Sequence, residues 1–196
     1  MGSTTLRLRG PQERWGWYAL LPLLLVAQVT LLTTLDLLHL PNWTSKTFQE
    51  MAKNPMLALL FGCVAAPALE EVLFRGILLQ GLLRNYRPAV AIAQSALLFG
   101  VFHFNPAQSL NAALIGLLLG WLYYQTHSLG MCIMLHALNN LSAFSAMRLT
   151  QLQDTSDIIR FIGVNWYVGL LALAGVVLGS GIWWLRWLSS QQQQLV

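Results

Sequence analysis

Six long apolar runs, near 17–38, 56–83, 89–104, 109–125, 130–147 and 165–187, account for most of the chain. A transmembrane helix needs roughly 20 mostly apolar residues, and each run approaches or reaches that length. Inside lipid every backbone N–H and C=O must be satisfied within its own segment or a closed barrel. Runs without strand-like alternation therefore predict helices. Only 9% of the 196 residues are charged while 56% are hydrophobic; ordinary soluble domains carry about 25% charged residues. That is too little charge to cover a water-facing surface. The fold class is all-α: a polytopic transmembrane bundle of about six helices with a polar site in its interior.

The flanks agree. Trp15, Trp17 and Trp43 border the first run, Trp166 opens the last, and Trp183, Trp184 and Trp187 close it, the pattern of an aromatic belt. With the N-terminus inside, Arg7, Arg9, Arg14, Arg84, Arg87 and Arg186 fall on the inner side, and Lys46, Lys53, Arg148 and Arg160 on the outer. That bias favours an N-in orientation. No A-x-A cleavage pattern follows the first run, which reads as an uncleaved anchor rather than a leader. The organisation is a basic cytoplasmic segment over 1–16, a transmembrane domain over 17–188 and a polar tail over 189–196. Segment 149–164 is the one polar loop of length. The net charge of +4 comes from scattered residues, not a basic stripe, so nucleic acid is not expected as a partner; membrane lipids are. Cys63 and Cys132 form neither a CxxC pair nor a disulfide framework. Gly116 and Gly120 form a GxxxG, a spacing that lets helices approach closely, here read as packing within the chain.

Against this background the second run contains "APALEEVLFRGILL", Ala66 to Leu79. A charge at membrane depth costs at least about 2.5–3.5 kcal/mol on insertion scales. Glu71 and Arg75 are spaced i,i+4 with the acid first, the favourable order for a helical pair. Glu70 is turned about 100° from Glu71 and is left without that partner. Pro67, three residues earlier, predicts a kink. Two of the chain's four histidines, His103 in "FGVFHFNP" and His136 in "MLHALNN", lie in other apolar runs, and Asn140 shares a helical face with His136. Convergence of Glu70, His103 and His136 in the bundle interior is the economical way to satisfy all three.

A carboxylate and an imidazole can deprotonate water, and a second imidazole with a carboxamide can donate to an oxyanion. Alternatively Glu70, His103 and His136 can hold zinc with an open position for water. Both routes predict hydrolysis. No HExxH or GxSxG is present. A proton-coupled transporter is the alternative from another class, since Glu and His in a bundle also form proton relays; no internal repeat of the transporter kind is seen. A non-catalytic membrane immunity protein is a third.

"EEVLFR", "FGVFH" and "HALNN" resemble, in order, the EExxxR, FxxxH and HxxxN motifs of the CPBP family, the CAAX-processing and bacteriocin-processing (Abi) intramembrane proteases, with the motif core over 65–145. The resemblance implies an intramembrane endopeptidase acting on a membrane-associated peptide, of prenyl-like or leader type. It implies Glu70 as the catalytic glutamate, His103 as its partner in activating water, His136 and Asn140 as the pair that holds the oxyanion or completes a metal site, and Glu71 and Arg75 as supporting positions. It leaves the metal open and points to the bacterial plasma membrane. One difficulty follows from helix rise: measured from the ends of their runs, His136 sits about 13 Å shallower than Glu70 and His103. Either the "QTHSLG" turn before it is recessed, or the topology differs.

Overall fold

The structure, a computed structural model, describes residues 15–149 and 155–193. The arginines of the N-terminal segment and the last residues of the tail lie outside that range, as does Arg14. The described residues form eight helices: α1 (Trp15–Leu32), extended by a 3₁₀ stretch Thr33–Leu38, α2 (Ser45–Ala52), α3 (Pro55–Leu83), α4 (Pro88–Val101), α5 (Pro106–Thr126), α6 (Leu129–Leu149), α7 (Thr155–Ile162) and α8 (Val164–Gln193). Each of the six apolar runs is a helix. Four stretches are long and apolar enough to cross a membrane: Trp17–Leu38, Pro55–Leu83, Leu129–Arg148 and Val164–Leu188. The third run yields a helix of only 14 residues, because Pro88 opens α4 and the chain turns before His103. The polar segment 149–164 is not all loop, since α7 forms within it. Trp17, read as interfacial, is buried, whereas Trp43, Trp166, Trp183, Trp184 and Trp187 are exposed.

The described residues divide into two compact units, one over 41–144 and one over those of 15–40 and 145–193. In the second unit α1 packs along α8, with Leu21, Leu24 and Leu185 buried. Gly181 admits this approach: a Cβ there would lie 2.9 Å from Leu24 Cδ2. Thr155 Oγ1 lies 2.6 Å from the Thr33 carbonyl and 3.0 Å from Asp36 Oδ2, tying α7 to the end of α1.

The first unit is organised around the α4–α5 pair and α3. Gly116 and Gly120 do set a close approach within the chain. A Cβ on Gly116 would sit 3.2 Å from Ala96 Cα and from Phe99 Cδ1, and one on Gly120 would sit 3.1 Å from Ile92 Cγ2. Gly100 is tighter still, since its Cβ would fall 2.6 Å from the Ser109 carbonyl oxygen. Backbone cannot move as a side chain can, so Gly100→Ala is expected to destabilise the protein by about 1–3 kcal/mol, read as a lowered unfolding midpoint in detergent. An unchanged midpoint would show that α4 and α5 part without cost.

The winding of α3 is unusual. An α-helical segment, Ala66–Glu71, lies between two π-helical stretches, Ala58–Ala65 and Val72–Leu79. The Ala66 N–H bonds the Phe61 carbonyl five residues back. The next bond of that series would run from residue 67 to the Gly62 carbonyl, and Pro67 has no N–H to make it. The free carbonyl accepts instead from Asn140 Nδ2 on α6 at 2.9 Å. π-Turns inside α-helices recur at functional sites, and here they bracket the paired glutamates.

Candidate active site

Glu70 and Glu71 are consecutive on the α-helical segment of α3, so they point about 100° apart. Glu71 is fully buried, whereas the Glu70 side chain retains 22% exposure. Arg75, also fully buried, donates from Nη1 to Glu71 Oε1 at 2.9 Å. Its Nη2 donates to the Gly116 carbonyl on α5 at 3.1 Å, and its guanidinium lies 4.6 Å from the centroid of the Phe99 ring. The i,i+4 pair is therefore present, but it is one part of a network through three helices.

That network reaches His136. Its Nδ1 lies 2.8 Å from Glu71 Oε1. A carboxylate beside an arginine can only accept, so Nδ1 carries the proton and donates. The open nitrogen, Nε2, lies 3.8 Å from Glu70 Oε2. This separation is too long for a direct hydrogen bond and suits one water bonded to both. Glu71 thus does more than make Arg75 tolerable in an apolar helix: it fixes the tautomer and direction of the imidazole that faces Glu70. A carboxylate behind a histidine has the same orienting effect in hydrolytic triads.

His103 lies in the turn after α4, and its Nδ1 is 2.9 Å from the Phe99 carbonyl. A carbonyl only accepts, so here too Nδ1 donates and Nε2 is open. The Phe99 ring is buried and meets His103 edge-on at 5.0 Å and His136 edge-on at 5.6 Å. Both imidazoles lie within electrostatic reach of Glu70. Asn140, one turn beyond His136, uses one N–H on Gly62; its carboxamide has a second N–H. Its Oδ1 accepts from Asn139 Nδ2 at 3.3 Å.

The α5–α6 turn that precedes His136 is packed inside protein. Thr126, Ser128 and Leu129 are buried. Their polar groups are served locally: Thr126 Oγ1 donates to the Leu122 carbonyl at 2.8 Å, and the Ser128 N–H donates to Thr126 Oγ1 at 3.1 Å. Ser128 Oγ then accepts from the Met131 N–H at 3.3 Å. Irregular backbone is tolerated at depth where protein buries it, and α6, starting from this buried turn, brings His136 Nε2 to 3.8 Å from Glu70 Oε2.

Among the described residues no group of three His, Cys, Asp or Glu side chains is placed to hold a metal ion. Cys63 and Cys132 are free and buried. The spacing of the motifs singled out Glu70, His103, His136 and Asn140. It did not disclose the Glu71–His136 bond, the Gly116 carbonyl as an acceptor for Arg75, or Phe99 as the ring shared by both imidazoles. Only the phenylalanine of "FGVFH" and the GxxxG hinted at the last two.

Residues 52–142 match the family model described as type II CAAX prenyl endopeptidase Rce1-like. No curated protein and no solved structure matches the chain.

Proposed function

We propose that the chain, whose residues 52–142 match the type II CAAX prenyl endopeptidase Rce1-like family model, is an intramembrane protease that hydrolyses a peptide bond of a membrane-associated substrate, with Glu70 as the general base. The observation that carries this reading is the 3.8 Å opening between Glu70 Oε2 and His136 Nε2, backed by the Glu71 bond that holds the imidazole in place. In the proposed reaction Glu70 takes a proton from water as the water oxygen attacks the scissile carbonyl, and it returns that proton to the leaving amine. His103, with Nε2 open, orients the water.

His136 donates to the oxyanion once Nε2 has taken up a proton from bulk water, which it gives back to water on product release, and the Glu71 carboxylate behind Nδ1 stabilises that imidazolium. The second N–H of Asn140 is the other donor. Removal of one such donor typically costs about 10²–10³ in kcat. Leu69 and Leu73, which flank Glu70 on α3, are exposed. Apolar side chains on both sides of a partly exposed acid favour a substrate that arrives from the lipid.

Proteoliposomes containing the protein test this. Membrane-associated peptides, one ending in a prenylated CAAX sequence and one identical but unprenylated, are expected to reveal cleavage, with the prenylated form preferred. Cleavage is expected to persist after exhaustive chelation of divalent ions. Activity lost on chelation and restored by zinc would overturn the carboxylate-base reading; absence of cleavage with every peptide would overturn the substrate class.

A further inference from the structure

The turn that carries His103 is held from outside the catalytic motifs. Helix α4 ends in tightened turns, His103 N–H to the Gly100 carbonyl and Phe104 N–H to the Val101 carbonyl, each 3.1 Å. Phe104 then adopts φ 49°, in the left-handed region. Glycine is usual at such a position after a helix, and a bulky L residue there costs about 1–2 kcal/mol. Such strain persists only where the surroundings over-determine it. Phe104 is 77% exposed, so its own ring packing does not supply that constraint.

Asn105 does. It stands at the N-cap position of α5, yet its side chain makes no capping bond. It is buried, and its three side-chain hydrogen bonds all go to the segment Asn42–Thr44. Nδ2 donates to Asn42 Oδ1 at 3.0 Å and to Thr44 Oγ1 at 2.8 Å, and Oδ1 accepts from the Trp43 N–H at 3.1 Å. Two further bonds seat the same segment on α5: Ala107 N–H to the Pro41 carbonyl at 3.2 Å, and Thr44 Oγ1 to Gln108 Oε1 at 3.2 Å. An asparagine at a helix start ordinarily caps its own helix; this one is spent on a chain segment some sixty positions away in sequence.

We propose that Asn105 is a positioning residue for the reaction: by clamping the 42–44 segment it holds Phe104 in the left-handed conformation, and so keeps His103 on the Phe99 carbonyl with Nε2 open. This inference rests on the function proposed above. Its test therefore pairs a rate with a readout that does not depend on turnover. The full chain in nanodiscs, labelled with ¹⁵N-histidine, is compared with Asn105→Ala, and the His103 signals are assigned by His103→Gln. Asn105→Ala is expected to lower kcat on the cleaved membrane peptide at least tenfold, with KM within twofold. The His103 ¹⁵N shifts are expected to move from a single Nδ1–H form to a mixture of tautomers.

Phe104→Gly removes the strain that the clamp opposes. Added to Asn105→Ala, it is expected to return the His103 signals and at least half of the lost rate. Thr44→Val, which deletes one of the three bonds, should shift the same signals in the same direction by less, and it serves if Asn105→Ala does not fold. Unchanged His103 signals in Asn105→Ala, or no recovery with Phe104→Gly, would overturn the proposal. If the wild type cleaves no peptide, the functional reading fails while the tautomer shift still decides the role of Asn105.

Discussion

Glu70→Gln is expected to lower kcat by about 10²–10⁴, the contribution of a positioned general base, and to leave the fold intact. The amide keeps the size of the side chain but cannot take a proton from water. Glu70 is partly exposed and its nearest basic atom, His136 Nε2, is 3.8 Å away, so no buried hydrogen bond is lost. Stability should stay within about 0.5 kcal/mol of wild type, as for substitutions that break no packed feature. The measurement is peptide cleavage in proteoliposomes beside an unfolding midpoint in mixed micelles. Wild-type turnover in this variant would exclude Glu70 as the base, and a collapsed midpoint would assign it to the scaffold instead.

Arg75→Met is expected to do the reverse, destabilising the protein by about 3–5 kcal/mol, the range for removing one partner of a buried ion pair. Arg75 and Glu71 are both fully buried and share the 2.9 Å bond, while Glu71 Oε2 and Arg75 Nε find no hydrogen-bond partner among the described residues. The network is thus incompletely satisfied, and its loss should fall mainly on the carboxylate left behind. Glu71 would keep only His136, and the Gly116 carbonyl would lose its donor. Replacing both residues, Glu71→Leu with Arg75→Met, should therefore cost less than Arg75→Met alone, although it frees His136 and abolishes turnover. Tryptophan fluorescence during denaturant unfolding in micelles reads both variants. A double variant less stable than the single would show that the pair is net stabilising.

The six apolar runs were legible as helices because lipid imposes one dominant rule, apolar length, although only four stretches reach the length and apolarity of a membrane span and the third run yields a helix of 14 residues. Proline sharpened the starts, with Pro55, Pro88 and Pro106 each opening a helix. The polar site was legible for the same reason: in a chain so poor in charge, an acid without a near partner stands out. The connections among those residues were less legible. Glu71 was assigned to Arg75 by its spacing, and nothing in spacing indicates that one carboxylate oxygen serves both Arg75 and His136. The π-helical winding of α3 depends on which carbonyls neighbouring helices claim, which is a tertiary property. Nothing local to Asn105 marks its role, because its partners lie far back in the sequence. Helix α7 was hidden by its polarity, which resembles that of a loop.

The missing N–H of Pro67 acts as a keyway. Lipid tails are as apolar as leucine, so apolar helices in a bilayer have little to stop one sliding along another. On α3 the carbonyl of Gly62 is left open by the proline, and the carboxamide of Asn140 is the matching key. Adjacent carbonyls of a helix point about 100° apart, so a slide of α6 by one residue, about 1.5 Å, takes that carboxamide off the Gly62 carbonyl and offers it no neighbouring acceptor on the same face. The same shift would carry His136 away from Glu71, so the proline fixes the register in which the imidazole and the two acids meet.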